Sequence, residues 1–130
     1  MTDLPPSRTL VSILPVNDLD AAERFYGRLG FFRRGPGEQP AQATYRMLWN
    51  AEGGCHLHLA KAPPGWVVPD RNPVGVYIYR DDIDAVAAAF AGEIIEGKPE
   101  HKSWGMYEFA LSDPDGTLVR VGWPSPGGAD

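Results

Sequence analysis

DLDAA at residues 18–22 recurs as DIDAV at residues 82–86. Each copy follows an apolar, extended stretch and opens a segment whose apolar residues repeat with helical spacing. Asp18 and Asp82 suit helix N-caps, because a carboxylate there accepts orphan backbone N–H groups and meets the positive end of the helix dipole. The repeat therefore predicts equivalent helices in two halves of the chain.

We expect these helices to cover residues 19–28 and 83–91. Gly30 and Gly92 follow them, and glycine readily adopts the left-handed conformation that ends a helix. The repeat thus includes the end of each helix as well as its start.

Three strand-like segments follow each helix. They are residues 31–34, 43–50 and 55–60 in the first half, and residues 93–96, 106–112 and 117–123 in the second. Turn residues separate the last two of each set, with EGG at residues 52–54 and DPDG at residues 113–116. Since an apolar strand also precedes each helix, the sequence predicts an α+β fold made of two βαβββ modules with eight strands.

We interpret residues 1–130 as one domain. Module one covers about residues 8–60 and module two about residues 74–124, and the connection at residues 61–73 contains four prolines. A four-stranded sheet buries one face beneath its own helix and leaves the other face without cover. We therefore expect the two sheets to enclose a cavity, and the protein to form a homodimer.

Composition excludes several classes of protein. The net charge is −5 and no segment concentrates Lys and Arg, so a nucleic-acid partner is not expected. No apolar run approaches the roughly 20 residues that cross a bilayer. The first ten residues lack the features of a signal peptide, which predicts a cytoplasmic protein without a membrane partner. Cys55, the one cysteine, is expected to be a packed thiol rather than a nucleophile.

Several of these stretches resemble one known superfamily in their order and spacing. They are LPVNDLD at residues 14–20, FYGRLGF at residues 25–31 and DPDG at residues 113–116. The chain resembles the glyoxalase, bleomycin-resistance and extradiol-dioxygenase superfamily, also called the vicinal oxygen chelate superfamily, over nearly its whole length. WVVPD at residues 66–70 and the pair Trp104-Gly105 look like the bleomycin-resistance branch in particular. The resemblance implies the vicinal-oxygen-chelate fold and a small-molecule ligand.

Metal-dependent members of that superfamily carry a ligand on the first and last strand of each module. By resemblance these positions fall at or next to Val11, His58, Gly75 and Arg120. Only His58 is a metal-binding residue type, because an arginine guanidinium stays protonated and offers no lone pair. The resemblance therefore implies the fold without a metal or other cofactor, and a binding protein rather than an enzyme.

The terminal hairpins supply candidate walls for the cavity. We expect Ser112 and Thr117 to close the second hairpin, which pairs Phe109 with Arg120 and leaves Glu108 on the opposite face. One aromatic face with a few polar groups is typical of a ligand site. The predicted ligand-binding residues are Tyr45, Met47, Trp49, His56, His58 and Trp66 in the first module, and Trp104, Gly105, Tyr107, Phe109 and Arg120 in the second.

The leading hypothesis is sequestration of a planar aromatic, bleomycin-like antibiotic that stacks on Trp104. Stacking on indole favours a cationic ligand. Arg120 argues instead for a carboxylate or phosphate on the ligand, and the sequence leaves this open.

The alternative is a metal-dependent lyase, isomerase or dioxygenase with a relocated metal. His56 and His58 project from the same side of one strand, so they could share a metal with a third ligand such as His101. A role as a subunit or regulatory partner is a third possibility, which nothing in the sequence favours.

Overall fold

The computed structural model describes residues 10–33, 43–52 and 54–125. The elements in chain order are β1 (Ser12–Val16), α1 (Leu19–Gly27), β2 (Phe32–Arg33), β3 (Tyr45–Asn50), β4 (Cys55–Lys61), β5 (Gly75–Tyr79), α2 (Ile83–Ala89), β6 (Ile95–His101), β7 (Met106–Ser112) and β8 (Leu118–Pro124). A short 3-10 helix covers Pro69–Arg71. The α+β class and the two βαβββ modules are confirmed. Residues 8–9, Arg34 and Gly53, which belong to predicted segments, lie outside the described residues.

The chain divides into two compact units between residues 71 and 72. The sheet of the first unit has the strand order β1-β4-β3-β2, and that of the second has the order β5-β8-β7-β6. In each sheet the first strand runs parallel to the last strand of its module, and the other pairs are antiparallel. The sequence repeat therefore corresponds to a repeat of strand order.

The first helix begins as the repeat predicts. Asp18 accepts a hydrogen bond of 3.1 Å on Oδ1 from the backbone N–H of Ala21, and this bond lowers the pKa of its carboxyl. The helix buries its apolar stripe, and the core of this unit consists mainly of Leu14, Val16, Leu19, Ala22, Phe25, Tyr26, Leu29, Phe31, Leu48, Leu57 and Leu59. Gly30 follows the helix with a φ of 91°, which explains why glycine stands there.

The second helix begins differently. The side chain of Asp82 makes no capping bond, so the predicted N-cap is wrong in its chemistry although right in its position. Its two carboxylate oxygens instead accept hydrogen bonds of 2.9 and 2.8 Å from Arg80, which lowers the pKa of Asp82. Gly92, with a φ of 85°, follows the helix as predicted.

The register of the second hairpin differs from the prediction by one residue. Ser112 pairs with Leu118, so Phe109 pairs with Val121 and not with Arg120. The cause is the loop, where Asp113 accepts backbone hydrogen bonds on Oδ1 from Asp115 and Thr117 and thereby includes Thr117 in the turn. A slip of one residue moves side chains to the opposite face of a sheet.

Phe109 and Tyr107 therefore do not share a face with Arg120, and that prediction is wrong. Phe109 is 3% exposed and belongs to the core beneath α2. Tyr107 lies on the same side, where its hydroxyl donates a 2.6 Å hydrogen bond to Asp84 of the helix.

Strand β6 begins and ends later than the predicted residues 93–96. Its pairing with β7 is interrupted between Ile95 and Glu100. Glu96 and Gly97 have φ values of 69° and 89° there. Pro99, which has no backbone N–H to donate, is tolerated because β6 is an edge strand and the pairing is irregular at this point.

Cys55 is half-buried at the start of β4. Burial raises the pKa of its thiol above the usual range. A raised pKa reduces the population of thiolate, the nucleophilic form, which agrees with the expectation of a packed thiol.

Across the described ranges, no helix has the length and apolar character needed to cross a membrane.

Candidate functional site

The exposed face of the first sheet carries five of the predicted site residues. Met47 pairs with His58 and Trp49 pairs with His56, and Tyr45 extends the same face along β3. The structure therefore places these five side chains together, opposite the leucines that pack beneath α1. These residues share one face as the sequence predicts, while their ligand-binding role stays a prediction.

Two of these residues form a polar pair. The hydroxyl of Tyr45 and Nδ1 of His58 are 2.7 Å apart, and the rings meet edge to face with centroids 5.3 Å apart. Burial lowers the pKa of His58, which favours the neutral imidazole. His56 lies edge-on to Trp49 at a centroid distance of 6.2 Å.

The residues present do not fit a metal of the kind that the superfamily's catalytic members hold. Within the part of the chain that the structure describes, no group of three or more His, Cys, Asp or Glu side chains is arranged to bind a metal ion. Nδ1 of His101, the suggested third ligand, lies 2.8 Å from the hydroxyl of Ser125. Of the four family positions only His58 is a metal-binding residue type, and no chemistry through a metal follows from this donor set.

The exposed face of the second sheet is organised around Glu108 of β7. Its carboxylate is 1% exposed. Oε1 accepts hydrogen bonds from the hydroxyl of Tyr77 at 2.8 Å and from the indole N–H of Trp104 at 3.1 Å. Oε2 accepts a hydrogen bond of 3.0 Å from the guanidinium of Arg120. Three side chains, from two other strands and one loop, thus donate hydrogen bonds to a single buried carboxylate.

Burial of Glu108 opposes ionisation, but the three hydrogen bonds and the charge of Arg120 outweigh it and hold the pKa of Glu108 below its usual range. Burial and the bond to Glu108 raise the pKa of Tyr77 well above its usual range. The cluster therefore contains a carboxylate, a neutral phenol and a guanidinium at neutral pH.

The sequence prediction missed both Tyr77 and Glu108. By sequence, Tyr77 is one residue of the apolar strand before the second helix, and the register predicted for the second hairpin puts Glu108 on the other face. The sequence carries one signal of this cluster, a glycine at position 122 inside the predicted strand. In the structure, a Cβ at Gly122 would overlap the Tyr77 hydroxyl and lie 2.9 Å from Cβ of Glu108. Glycine in a strand interior often marks such a close approach.

Trp104 lies in the loop that leads into β7, as predicted. Its side chain is 61% exposed although its N–H is bonded to Glu108. Gly105 follows with a φ of 84°, and its carbonyl accepts a 2.8 Å hydrogen bond from the backbone N–H of Ser125. Nζ of Lys102 lies 5.9 Å from the centroid of the indole ring.

Two other predicted ligand-binding residues, Trp66 and Tyr107, lie on neither of these exposed sheet faces. Trp66 lies in a turn of the connection and is 80% exposed. The next residue, Val67, is tethered through its carbonyl, which accepts a 3.1 Å hydrogen bond from the side chain of Asn17. Tyr107 stacks on His101 at a centroid distance of 4.5 Å, on the helix side of the second sheet.

A family comparison agrees with this architecture. The model of the glyoxalase/bleomycin resistance protein/dioxygenase superfamily matches residues 9–121. This chain belongs to that superfamily. No curated protein matches the chain.

Solved structures of superfamily proteins resemble the chain over most of its length. A bleomycin resistance determinant encoded on the transposon Tn5 is 26% identical, with 91% of this chain and 98% of that chain covered and a TM-score of 0.71. A bleomycin-binding protein complexed with bleomycin is also 26% identical, with 92% and 100% covered and a TM-score of 0.71. These similarities confirm the vicinal-oxygen-chelate fold.

A third solved structure supports the fold alone. TnmS3, an antibiotic binding protein from Streptomyces sp. CB03234, is 24% identical, with 92% of this chain and 97% of that chain covered and a TM-score of 0.67.

Proposed function

We propose that this superfamily member is a metal-independent binding protein that sequesters a planar aromatic antibiotic of the bleomycin kind, or a chemically similar metabolite, without converting it. The observation that carries the proposal is the exposure and fixed orientation of the Trp104 side chain. Its ring is largely exposed, while its N–H is fixed to a buried carboxylate.

An exposed tryptophan held in this way is suited to stacking. The indole usually loses rotational freedom when a ligand binds, and a side chain that is already oriented loses less. The hydrogen bond to Glu108 supplies that orientation. The ring therefore offers a fixed apolar plane to a flat ligand.

The similarity to two bleomycin-related proteins at 26% identity supports the same class of ligand. The donor set at the family's metal positions supports binding without metal chemistry, because Arg120 and Gly75 cannot coordinate a metal through their side chains. Neither argument depends on the other.

The proposal also includes a homodimer in the cytoplasm, with no nucleic-acid or membrane partner. Each sheet has a face that its own helix does not cover, and such faces favour association with a second copy. Sedimentation that gives a monomer at micromolar concentration would contradict the dimer without affecting the ligand.

Calorimetry with metal-free and copper-loaded bleomycin tests the ligand. We expect heat on binding, and we expect Trp104→Ala to weaken affinity by about one to two orders of magnitude, since stacking a flat ring on an aromatic side chain contributes roughly 1–3 kcal/mol. Trp104→Phe is the matched control, because it keeps an aromatic plane and should lose less.

Urea unfolding should show that both variants still fold. Absence of heat and of any thermal shift with both forms of bleomycin would refute a bleomycin-like ligand.

A further inference from the structure

The hydrogen bonds at Glu108 determine which polar groups remain for a ligand. An indole has one N–H and a phenol has one O–H. Trp104 and Tyr77 both donate theirs to Oε1 of Glu108. These two side chains are therefore left with ring surfaces and with no proton to donate.

Arg120 is in the opposite situation. A guanidinium has five N–H groups in a planar fork. Among the described residues, the hydrogen bond that Arg120 makes is the one to Glu108, and its side chain is 43% exposed. No described residue occupies its other N–H groups, and these can bond to a ligand that stacks on Trp104.

The charges of the pair are also arranged asymmetrically. The negative partner, Glu108, is buried, whereas the positive partner, Arg120, reaches the surface. The pair has no net charge, but its positive end faces outward. A hydrogen-bond acceptor on a ligand would meet this end, and its desolvation would be offset by charge-assisted bonds.

A second cation lies at the same ring. Nζ of Lys102 is 5.9 Å from the centroid of Trp104 and pairs with two carboxylates, Glu100 at 3.1 Å and Glu96 at 3.5 Å. A cationic ligand stacked on Trp104 would compete with Lys102 for the face of the ring and would lie near the exposed guanidinium of Arg120, which disfavours it.

We propose that Arg120 and Trp104, positioned by Glu108, form one recognition subsite for a flat aromatic group that carries a carbonyl or carboxylate oxygen next to the ring. The inference deepens the proposed function and rests on it, since Trp104 is the stacking residue in both. Trp104 binds the ring, Arg120 donates to the oxygen, and Glu108 is a positioning residue that holds both.

Three flat probes that differ in one substituent test the subsite: 2-naphthoate, 2-naphthamide and 2-naphthylmethylammonium. Binding is followed at the indole N–H resonance of Trp104, which is assigned with Trp104→Phe. We expect 2-naphthoate and 2-naphthamide to shift this resonance and the ammonium probe to bind at least about tenfold more weakly.

Arg120→Gln separates the two kinds of acceptor. We expect this variant to lower the affinity for 2-naphthoate by about 10- to 100-fold and the affinity for 2-naphthamide by about 2- to 10-fold, because hydrogen bonds between charged groups are the stronger ones. The affinity of the ammonium probe should stay the same or rise. An unchanged affinity for both oxygen-bearing probes would overturn the role of Arg120.

Glu108→Gln tests positioning. We expect the Trp104 indole N–H resonance to move in the free protein, and the preference for 2-naphthoate over the ammonium probe to increase, because Arg120 is no longer neutralised. A purely structural role would weaken all three probes together and leave the preference unchanged. Should this variant fail to fold, the order of the three probes and the effect of Arg120→Gln still decide whether the subsite exists.

The outcomes separate this inference from the proposed function. Equal binding of all three probes would overturn the subsite and leave stacking on Trp104 intact. The expected order of probes without any response to bleomycin would support the subsite and refute the bleomycin-like antibiotic. No shift of the Trp104 resonance with any probe would overturn the subsite.

Discussion

Gly122→Ala should destabilise the second unit strongly for a single added methyl group. The new Cβ would overlap the hydroxyl of Tyr77 and lie 2.9 Å from Cβ of Glu108. Gly122 lies in a regular strand and does not have a positive φ, so backbone strain does not contribute to the cost of alanine there. Tyr77 must move, and its 2.8 Å hydrogen bond to Glu108 is then lost.

We expect a loss of about 2–5 kcal/mol in the free energy of unfolding. Overpacking costs roughly 1–3 kcal/mol, and loss of a hydrogen bond to a charged group costs roughly 1.5–3 kcal/mol. The lower chain entropy of alanine in the unfolded state offsets about 0.4–1 kcal/mol of this.

Urea unfolding followed by circular dichroism measures the effect. Gly75→Ala is the matched control in the same sheet, because its Cβ would lie 3.5 Å from the carbonyl oxygen of Leu118, an ordinary contact. In a Tyr77→Ala background the cost of Gly122→Ala should fall by more than half. A Gly122→Ala variant as stable as the Gly75→Ala variant, or an equal cost in both backgrounds, would refute the reasoning.

Two further predictions concern charges. Glu23 accepts hydrogen bonds of 2.7 Å from Arg46 and 2.6 Å from Arg33, so Glu23→Gln should cost about 1.5–3 kcal/mol. Asp20 also binds Arg46 but is largely exposed, so Asp20→Asn should cost under about 1 kcal/mol of unfolding free energy. Urea unfolding measures both variants, and equal costs would contradict the conclusion that the more buried pair with Glu23 is the stronger one. Glu108 has a lowered pKa in the folded state, so its contribution is complete above the unfolded value of 4.5 and is lost as the pH falls through the folded value. The unfolding free energy should therefore drop more steeply between about pH 5 and about pH 3 for the wild type than for Glu108→Gln, and parallel curves would show that Glu108 is not ionised in the fold.

The sequence was sufficient for the fold because helix starts, helix stops and turns depend on local chemistry. Asp18 and Gly30 mark the ends of α1 through bonds and backbone angles that involve only nearby residues. The sequence predicts strand β6 too early, since an edge strand that is interrupted at Gly97 and Pro99 has neither alternation nor β-propensity. The enclosed cavity and the homodimer stay predictions.

The site was predicted only in part, because local patterns determine some of its residues and not others. The exposed face of the first hairpin followed from simple alternation, and Trp104 from its place before β7. The face of the second hairpin depended on whether Thr117 belonged to the turn or to the strand, which the bonds of Asp113 decide. Glu108 and Tyr77 meet across β8, and no local pattern links residues that distant in sequence.

The irregular pairing of β6 affects how this chain behaves in concentrated solution. An outer strand with a regular row of free N–H and C=O groups is a template on which another polypeptide can add as a further strand. Here Pro99 has no N–H to offer, and Glu96 and Gly97 turn the backbone out of the extended form. Growth of ordered aggregates from this border of the sheet is hindered at the very residues that made the strand hard to recognise.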